Sequence, residues 1–305
     1  MAFKHISEVT QETKKYIDDR RKGLIQSCRT GFKKTDEVML DGIEWRSVFC
    51  IGGRPAVGKT LYSSNLLKGI IANNDMSSIV ILDFNWEMSS RQLLIRDLSL
   101  DTKQAYGNII STKGKIVNDD EFEHFSHVLD TYGKLPIYFE EEPKTAKEFA
   151  SAVKVFRDKN PDKKILVRID HTVLARQSAS EGNRVDMLYN LLNEQAQMKK
   201  QSDIIFMNLT QLNKDFEDRQ QDGSDQAYPR QSDCFGSDAV AQTSDNLILL
   251  NRPAKYNINY YGRRPDGLSV TENDMFGHMV KSRNSAPDLI LHYETFFEQM
   301  RIREA

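Results

Sequence analysis

The chain has 305 residues, 39% hydrophobic and 28% charged, with a formal net charge of −2. That suits one large α/β domain with an appendage, or two small domains. The near-neutral balance excludes a polybasic surface that coats nucleic acid, so any such contact must be local. The cysteines Cys28, Cys50 and Cys234 are far apart and the six histidines are scattered, which argues against a disulfide framework and a structural zinc site. No apolar run approaches a membrane span and the polar start is no signal peptide, so a soluble, intracellular protein is expected.

Residues 1 to about 28 read as a charged helix, with Phe3, Ile6, Val9, Tyr16 and Ile17 at helical spacing on one narrow face. Such a stripe needs a surface, either on its own domain or on a neighbouring subunit. Next, "SVFCIGG" is a buried strand feeding a tight turn, and "TLYSSNLLKGIIANN" is a helix. "SIVILDFN" is a strand, "SSRQLLIRDLSL" a helix, "LPIYFEE" a strand and "TAKEFASAVKVFRDKN" an amphipathic helix. "KKILVRID" is a strand, "DMLYNLLNEQAQMKKQ" a helix, and "DIIFMNLTQ" and "DNLILLN" are strands. "FGHMVKSR" and "DLILHYETF" close the chain as strands, joined by "NSAPD" into a candidate antiparallel edge. Strands alternating with helices predict an α/β fold, a mostly parallel sheet covered on both faces.

The stretch "GRPAVGKT" fits G-x-x-x-x-G-K-[ST] between a strand and a helix, the context the motif requires. Backbone N–H groups of such a loop turn inward around a phosphate, and the following helix aims its positive end at the same anion. The expected cradle is Gly53, Arg54, Pro55, Ala56, Val57, Gly58, Lys59, Thr60 and Leu61. Lys59 would meet the β and γ phosphates of ATP, and the Thr60 hydroxyl would ligate Mg2+. Asp170, at the tip of "KKILVRID", faces the crevice where α/β sheets bind ligands and is the second magnesium candidate. Glu87, just past "SIVILDFN", reaches the same sheet edge. From position alone it is either a carboxylate that orients water or an ordinary acid at a helix start. Gln211, ending "DIIFMNLTQ", is either a γ-phosphate sensor or a loop cap.

Together these motifs resemble the RecA-like motor domain of DnaB-type replicative helicases, over roughly residues 28 to 300. "TGF" at Thr30 to Phe32, followed by Asp36, is similar to that family's entry into the domain, and "GRPAVGKT" keeps its Arg-Pro. "NWEMS" resembles the family's "SLEM", which implies that Glu87 is the catalytic base. "RIDHTVL" stands at the Walker B aspartate, here Asp170. "NLTQLNKDFEDR" resembles "LSQLNR", so Gln211 would link the γ-phosphate to the DNA loops. "VKSRNSAP" resembles "KQRNGP", which implies that Lys281 and Arg283 reach the ATP of the next subunit. "LHYETFFEQM" resembles the closing strand. The implied fold is a RecA-like P-loop NTPase (residues 29–305) preceded by a linker helix (residues 1–28).

The resemblance implies a ring-forming, ATP-driven helicase moving 5′ to 3′ on single-stranded DNA. Its partners are other copies of the chain in a hexameric ring, with the N-terminal helix docked on a neighbour and no membrane. It belongs in the cytoplasm of a bacterial or phage-infected cell. Two departures stand out. The family's N-terminal, primase-engaging domain has no counterpart here, which puts primase contact in doubt. Where the family's DNA loop reads "SDLRESGS", this chain reads "SDCFGSDA", so a phosphate-binding arginine is replaced in the segment Phe235, Gly236 and Ser237. Other expected DNA contacts are Lys214, Arg219 and Arg230 in a long polar loop after Gln211, and Arg176 and Arg184 in a second loop. Phe235 would stack on a base. A recombinase or KaiC-like ATPase, and an ATP-switched assembly protein without motor activity, stay open as alternatives.

Overall fold

The computed structural model describes residues 3–113, 117–221, 228–262, 267–284 and 289–305. Most of the "NSAPD" connection and the middle of the long polar stretch after Gln211 lie outside the described residues. The elements run α1 (Ile6–Arg21), α2 (Lys33–Val38), β1 (Ser47–Gly53), α3 (Lys59–Asn73), β2 (Ile79–Asn85), α4 (Ser90–Thr102), α5 (Tyr106–Ile110) and α6 (Asp119–Tyr132). They continue as β3 (Ile137–Glu140), α7 (Ala146–Lys159), β4 (Lys164–Asp170), α8 (Arg184–Met198), β5 (Ile204–Gln211), α9 (Asp215–Gln221) and α10 (Ser237–Thr243). The chain ends with β6 (Asn246–Asn251), β7 (Tyr260–Tyr261), β8 (Leu268–Ser269), β9 (Asp274–Ser282), β10 (Leu289–Phe296) and β11 (Arg301–Glu304).

Nine strands form one sheet in the order β11-β10-β9-β6-β1-β5-β4-β2-β3. From β3 to β6 all pairs are parallel. The expected antiparallel edge is present as β9 and β10, extended by β11. Because side chains alternate along a strand, each central strand feeds two cores. Phe49 and Ile51 of β1 pack with Tyr62, Leu66 and Ile70 of α3. Val48 and Cys50 pack with the opposite layer, Phe149 and Val153 of α7 and Leu188 and Leu191 of α8. Each such fully buried aliphatic or aromatic side chain contributes about 1.5–3 kcal/mol relative to exposure. Burial on both faces explains why β1, β2 and β5 read as largely apolar runs.

Several helix starts are fixed by local chemistry. Ser89 with Gln92, Asn118 with Glu121 and Thr145 with Glu148 each form a reciprocal capping box. The short elements α2, α5, β7, β8 and β11 escape the sequence pattern because they are too brief for a period to register. Helix α6 escapes it because its first turn is three consecutive acids and its buried face is carried by Phe125 alone.

The N-terminal helix is shorter than expected. It ends at Arg21, and Cys28 already exchanges backbone hydrogen bonds of 2.8 Å with Ile43. No residue of α1 is buried; Phe3, Ile6 and Ile17 are 93%, 69% and 60% exposed. The Tyr16 hydroxyl donates to Glu44 at 2.7 Å. Among the described residues of one chain the predicted apolar stripe therefore has no covering surface.

Candidate active site

The phosphate loop lies where β1 meets α3. Gly58 has φ +107°, a left-handed conformation that a side chain would strain. At Gly53 a Cβ would come within 2.6 Å of Val57 and 3.3 Å of the Leu250 carbonyl. Lys59 folds back over the loop, its Nζ donating to the Gly53 and Arg54 carbonyls at 3.0 and 3.2 Å. Burial lowers its pKa to about 8, against the upward pull of Asp170 and Glu87. Its charge is thus poorly solvated in this state, and an anion among the loop N–H groups would stabilise it.

Arg54 does not point into the loop. It ion-pairs with Glu217 of α9 at 2.9 Å and donates to the Leu212 carbonyl at 2.7 Å. Lys255, absent from the sequence reading, donates to the Pro55 carbonyl at 3.1 Å. The loop is therefore tied to the segment just past Gln211.

Asp170 is buried at the tip of β4, in register with Asn85 at the end of β2. Its Oδ1 is buried without a hydrogen-bond partner among the described residues. Burial raises the pKa of its carboxyl, against the downward pull of Arg168 and of the Thr60 hydroxyl. An orphaned carboxylate oxygen beside a threonine hydroxyl fits a hard cation such as Mg2+, which takes few protein ligands and completes its shell with phosphate and water. Two positions earlier on β4, Arg168 makes a buried, two-pronged pair with Asp83 of β2, at 2.8 and 2.5 Å. Its third nitrogen reaches Ser64 of α3 at 3.2 Å. This pair braces the floor beneath the phosphate-loop helix, and only the register of β2 against β4 reveals it. Asp83→Asn leaves the guanidinium buried and unpaired and should cost about 3–5 kcal/mol of unfolding free energy in denaturant titration.

The backbone N–H groups of Trp86 and Glu87 both donate to the Asp170 carbonyl, at 2.8 and 3.2 Å. This sets Glu87, its side chain half-exposed, at the same sheet edge as Asp170. Between Glu87 and Gln211 stands His171, which the sequence reading passed over. Its Nε2 lies 3.7 Å from Glu87 Oε2 and 3.2 Å from Gln211 Nε2. Burial lowers the His171 pKa, with Glu87 and Asp170 pulling the other way. A histidine directly after a strand-tip acid was the available sequence signal.

Lys281 and Arg283 sit far from this cluster. Gly53 is level with Leu250 at the carboxyl end of β6, whereas Ser282 is level with Asn246 at its start. That is four residues along the strand, roughly 13 Å of rise. The two cations and the phosphate loop thus occupy opposite edges of one sheet. Lys281 donates to the Ala241 carbonyl. Arg283 pairs with Asp245 at 3.0 Å while its side chain stays 57% exposed. Asp245 is itself held by Lys199 and by the Val48 N–H.

The expected DNA contacts divide into two groups. Arg184, Lys214 and Arg230 are exposed. Arg176 is engaged with Glu148, and Arg219 grips the buried Asp233 at 2.9 and 2.6 Å. The stretch after Gln211 was expected to be a long polar loop, but its described part is folded. It holds α9 and α10, and Leu212 bridges to Cys234. The Asp233 anchor and buried Phe216, both partnered by residues distant in sequence, supply that order. The Phe235 N–H donates to the Gln211 carbonyl at 2.8 Å, and the half-buried Phe235 ring packs on the core. Gly236 has φ +62° and caps α10, where a Cβ would come within 2.7 Å of Leu188; Ser237 opens that helix. Any movement of the Gln211 strand tip therefore meets the 233–237 segment directly.

Sheet order, loop and strand-tip carboxylates define a phosphate-loop nucleotide-binding domain of mostly parallel α/β architecture. More particularly, the chain belongs to the DnaB-like helicase C terminal domain family, whose model matches residues 27–295. It is 25% identical to the replicative DNA helicase DnaC of Bacillus subtilis (strain 168) over 276 residues, 89% of this chain and 56% of that protein. It is 26% identical to the replicative DNA helicase DnaB of Geobacillus stearothermophilus over 277 residues, again 89% and 56%. The chain thus spans slightly more than half the length of these relatives. Two solved structures share the fold. One, described as an ATPase domain, has a TM-score of 0.83 at 20% identity and full coverage of both chains. The other, "The Structure Of A DnaB-Like Replicative Helicase And Its Interactions With Primase", has a TM-score of 0.77 at 20% identity, covering 92% of this chain and 63% of that one.

Proposed function

We propose that this chain is the ATP-driven motor of a ring-forming DNA helicase that translocates 5′ to 3′ on single-stranded DNA. The observation that carries the reading is the placement of the phosphate loop and the Lys281/Arg283 pair on opposite edges of one sheet. A chain so built cannot close its own site, but a second copy set against it supplies the missing cations. Residues Gly53 to Leu61 hold the nucleotide phosphates, and Thr60 and Asp170 hold magnesium. Magnesium, when bound, neutralises phosphate charge. Glu87 orients the attacking water, Gln211 meets the γ-phosphate, and the neighbour's cations stabilise charge that develops during transfer. Hexameric assembly, with the uncovered stripe of α1 docked on the adjacent subunit, belongs to the same reading.

DNA contact falls to the exposed Arg184, Lys214 and Arg230, with Phe235 able to stack only if it leaves the core. Arg176 and Arg219 would first have to release their acidic partners. A recombinase, a KaiC-like ATPase and an ATP switch have no observation in their favour. The test is unwinding of a forked duplex, with the mass of the ATP-bound assembly measured in parallel. ATP-dependent unwinding by an oligomer, with ATPase stimulated by single-stranded DNA, is the expected result. Nucleotide-dependent oligomers whose ATPase ignores DNA would overturn the motor reading.

A further inference from the structure

His171 is buried, and the same ring nitrogen faces both Gln211 and Glu87. The far nitrogen, Nδ1, is buried and has no hydrogen-bond partner among the described residues. In most functional histidines a partner on the far nitrogen decides which nitrogen carries the proton. Here that decision falls to the Nε2 side. With the proton on Nδ1, Nε2 presents a lone pair. It then accepts from the Gln211 amide and offers the Glu87 carboxylate nothing. With the proton on Nε2, the ring donates to Glu87, and the Gln211 N–H loses its acceptor. One nitrogen serves one neighbour at a time.

We propose that His171 is a positioning residue that makes the ring's contacts with Gln211 and Glu87 mutually exclusive, and so couples γ-phosphate sensing to orientation of the catalytic carboxylate. The proposal deepens the ATPase reading and rests on it. In the free chain the ring holds the Gln211 amide. When Gln211 turns to a γ-phosphate, Nε2 is released to donate to Glu87. That bond fixes one carboxylate oxygen and leaves the other to the water. The two arrangements are tautomers of the same neutral ring: Nε2 gains the proton that Nδ1 loses, so neither the proton count nor the net charge changes.

The test is long-range 1H–15N correlation spectroscopy of the full chain labelled with 15N-histidine. The His171 signal is assigned by its loss in His171→Phe or His171→Gln. A non-hydrolysable ATP analogue with magnesium is the probe, and its binding is followed separately by displacement of a fluorescent nucleotide. The free chain should carry the proton on Nδ1 and the nucleotide-bound chain on Nε2. Binding without a change of tautomer, or Nε2–H already in the free chain, overturns the proposal and leaves the ATPase reading standing. Failure to bind overturns that reading and this proposal with it. In turnover, His171→Phe should lower kcat about 10- to 100-fold with KM for ATP within about threefold. His171→Gln, which keeps an N–H donor near the Nε2 position, should recover most of the loss. A change confined to KM, or no recovery with glutamine, overturns it.

Discussion

Glu87→Gln should lower ATP turnover by about two to four orders of magnitude, the range for loss of a positioned general base, while nucleotide affinity stays within a few-fold. The separation follows from geometry. Glu87 takes no part in the phosphate loop, and its backbone is held by the Asp170 carbonyl whatever its side chain. Glutamine preserves size and one acceptor oxygen but removes the charge that polarises water. Its side chain is half-exposed, so neither desolvation nor packing should confuse the result. Fluorescent-nucleotide titration together with steady-state hydrolysis decides the point. Unchanged turnover would remove Glu87 from the mechanism.

The second large effect concerns Arg283. Arg283→Ala should reduce turnover about 10³- to 10⁵-fold, the range for an arginine supplied from outside the nucleotide's own pocket. Its signature is complementation. An Arg283→Ala chain retains a complete phosphate-loop edge, and a Glu87→Gln chain retains its cations. Mixed in equal amounts and reassembled, the two inactive variants should recover about a quarter of wild-type activity, the share of junctions at which both intact edges meet. A mixture as dead as its parents would show that Arg283 acts within its own chain or only on Asp245, its present partner. Each variant's unfolding midpoint must be measured beside activity, because Asp245 also holds Lys199 and the β1 backbone.

Much of this was legible in the sequence for a local reason. A phosphate loop is written in consecutive residues, and glycines that permit turned backbone can be recognised without knowing the fold. Asp170 was legible because a buried parallel strand announces itself as an apolar run, and its last residue faces the ligand crevice. Asp83 and Arg168 were not, since an acid and a base inside apolar strands gain meaning only from the pairing of β2 with β4. His171 stayed silent for the same reason, because both its partners come from other strands. The described part of the stretch after Gln211 was misread as a loop because its polar composition hides the Arg219–Asp233 anchor. The resemblance supplied what local reading could not, above all the roles proposed for Glu87 and for the Lys281/Arg283 pair.

The two-edged sheet also fixes how active sites are counted. In the proposed assembly each chain would present one unlike face to the next, a heterologous contact that repeats head to tail. Under the proposed division an open row of n chains holds n − 1 finished sites, whereas a closed ring holds n. A pair of chains would work at half the rate per chain of a ring, and the first and last members of any open row would differ from the rest. Closure itself becomes a gain in catalytic capacity. In the proposed ring, whatever opens or seals it would govern turnover at one junction and leave the chemistry at every other junction untouched.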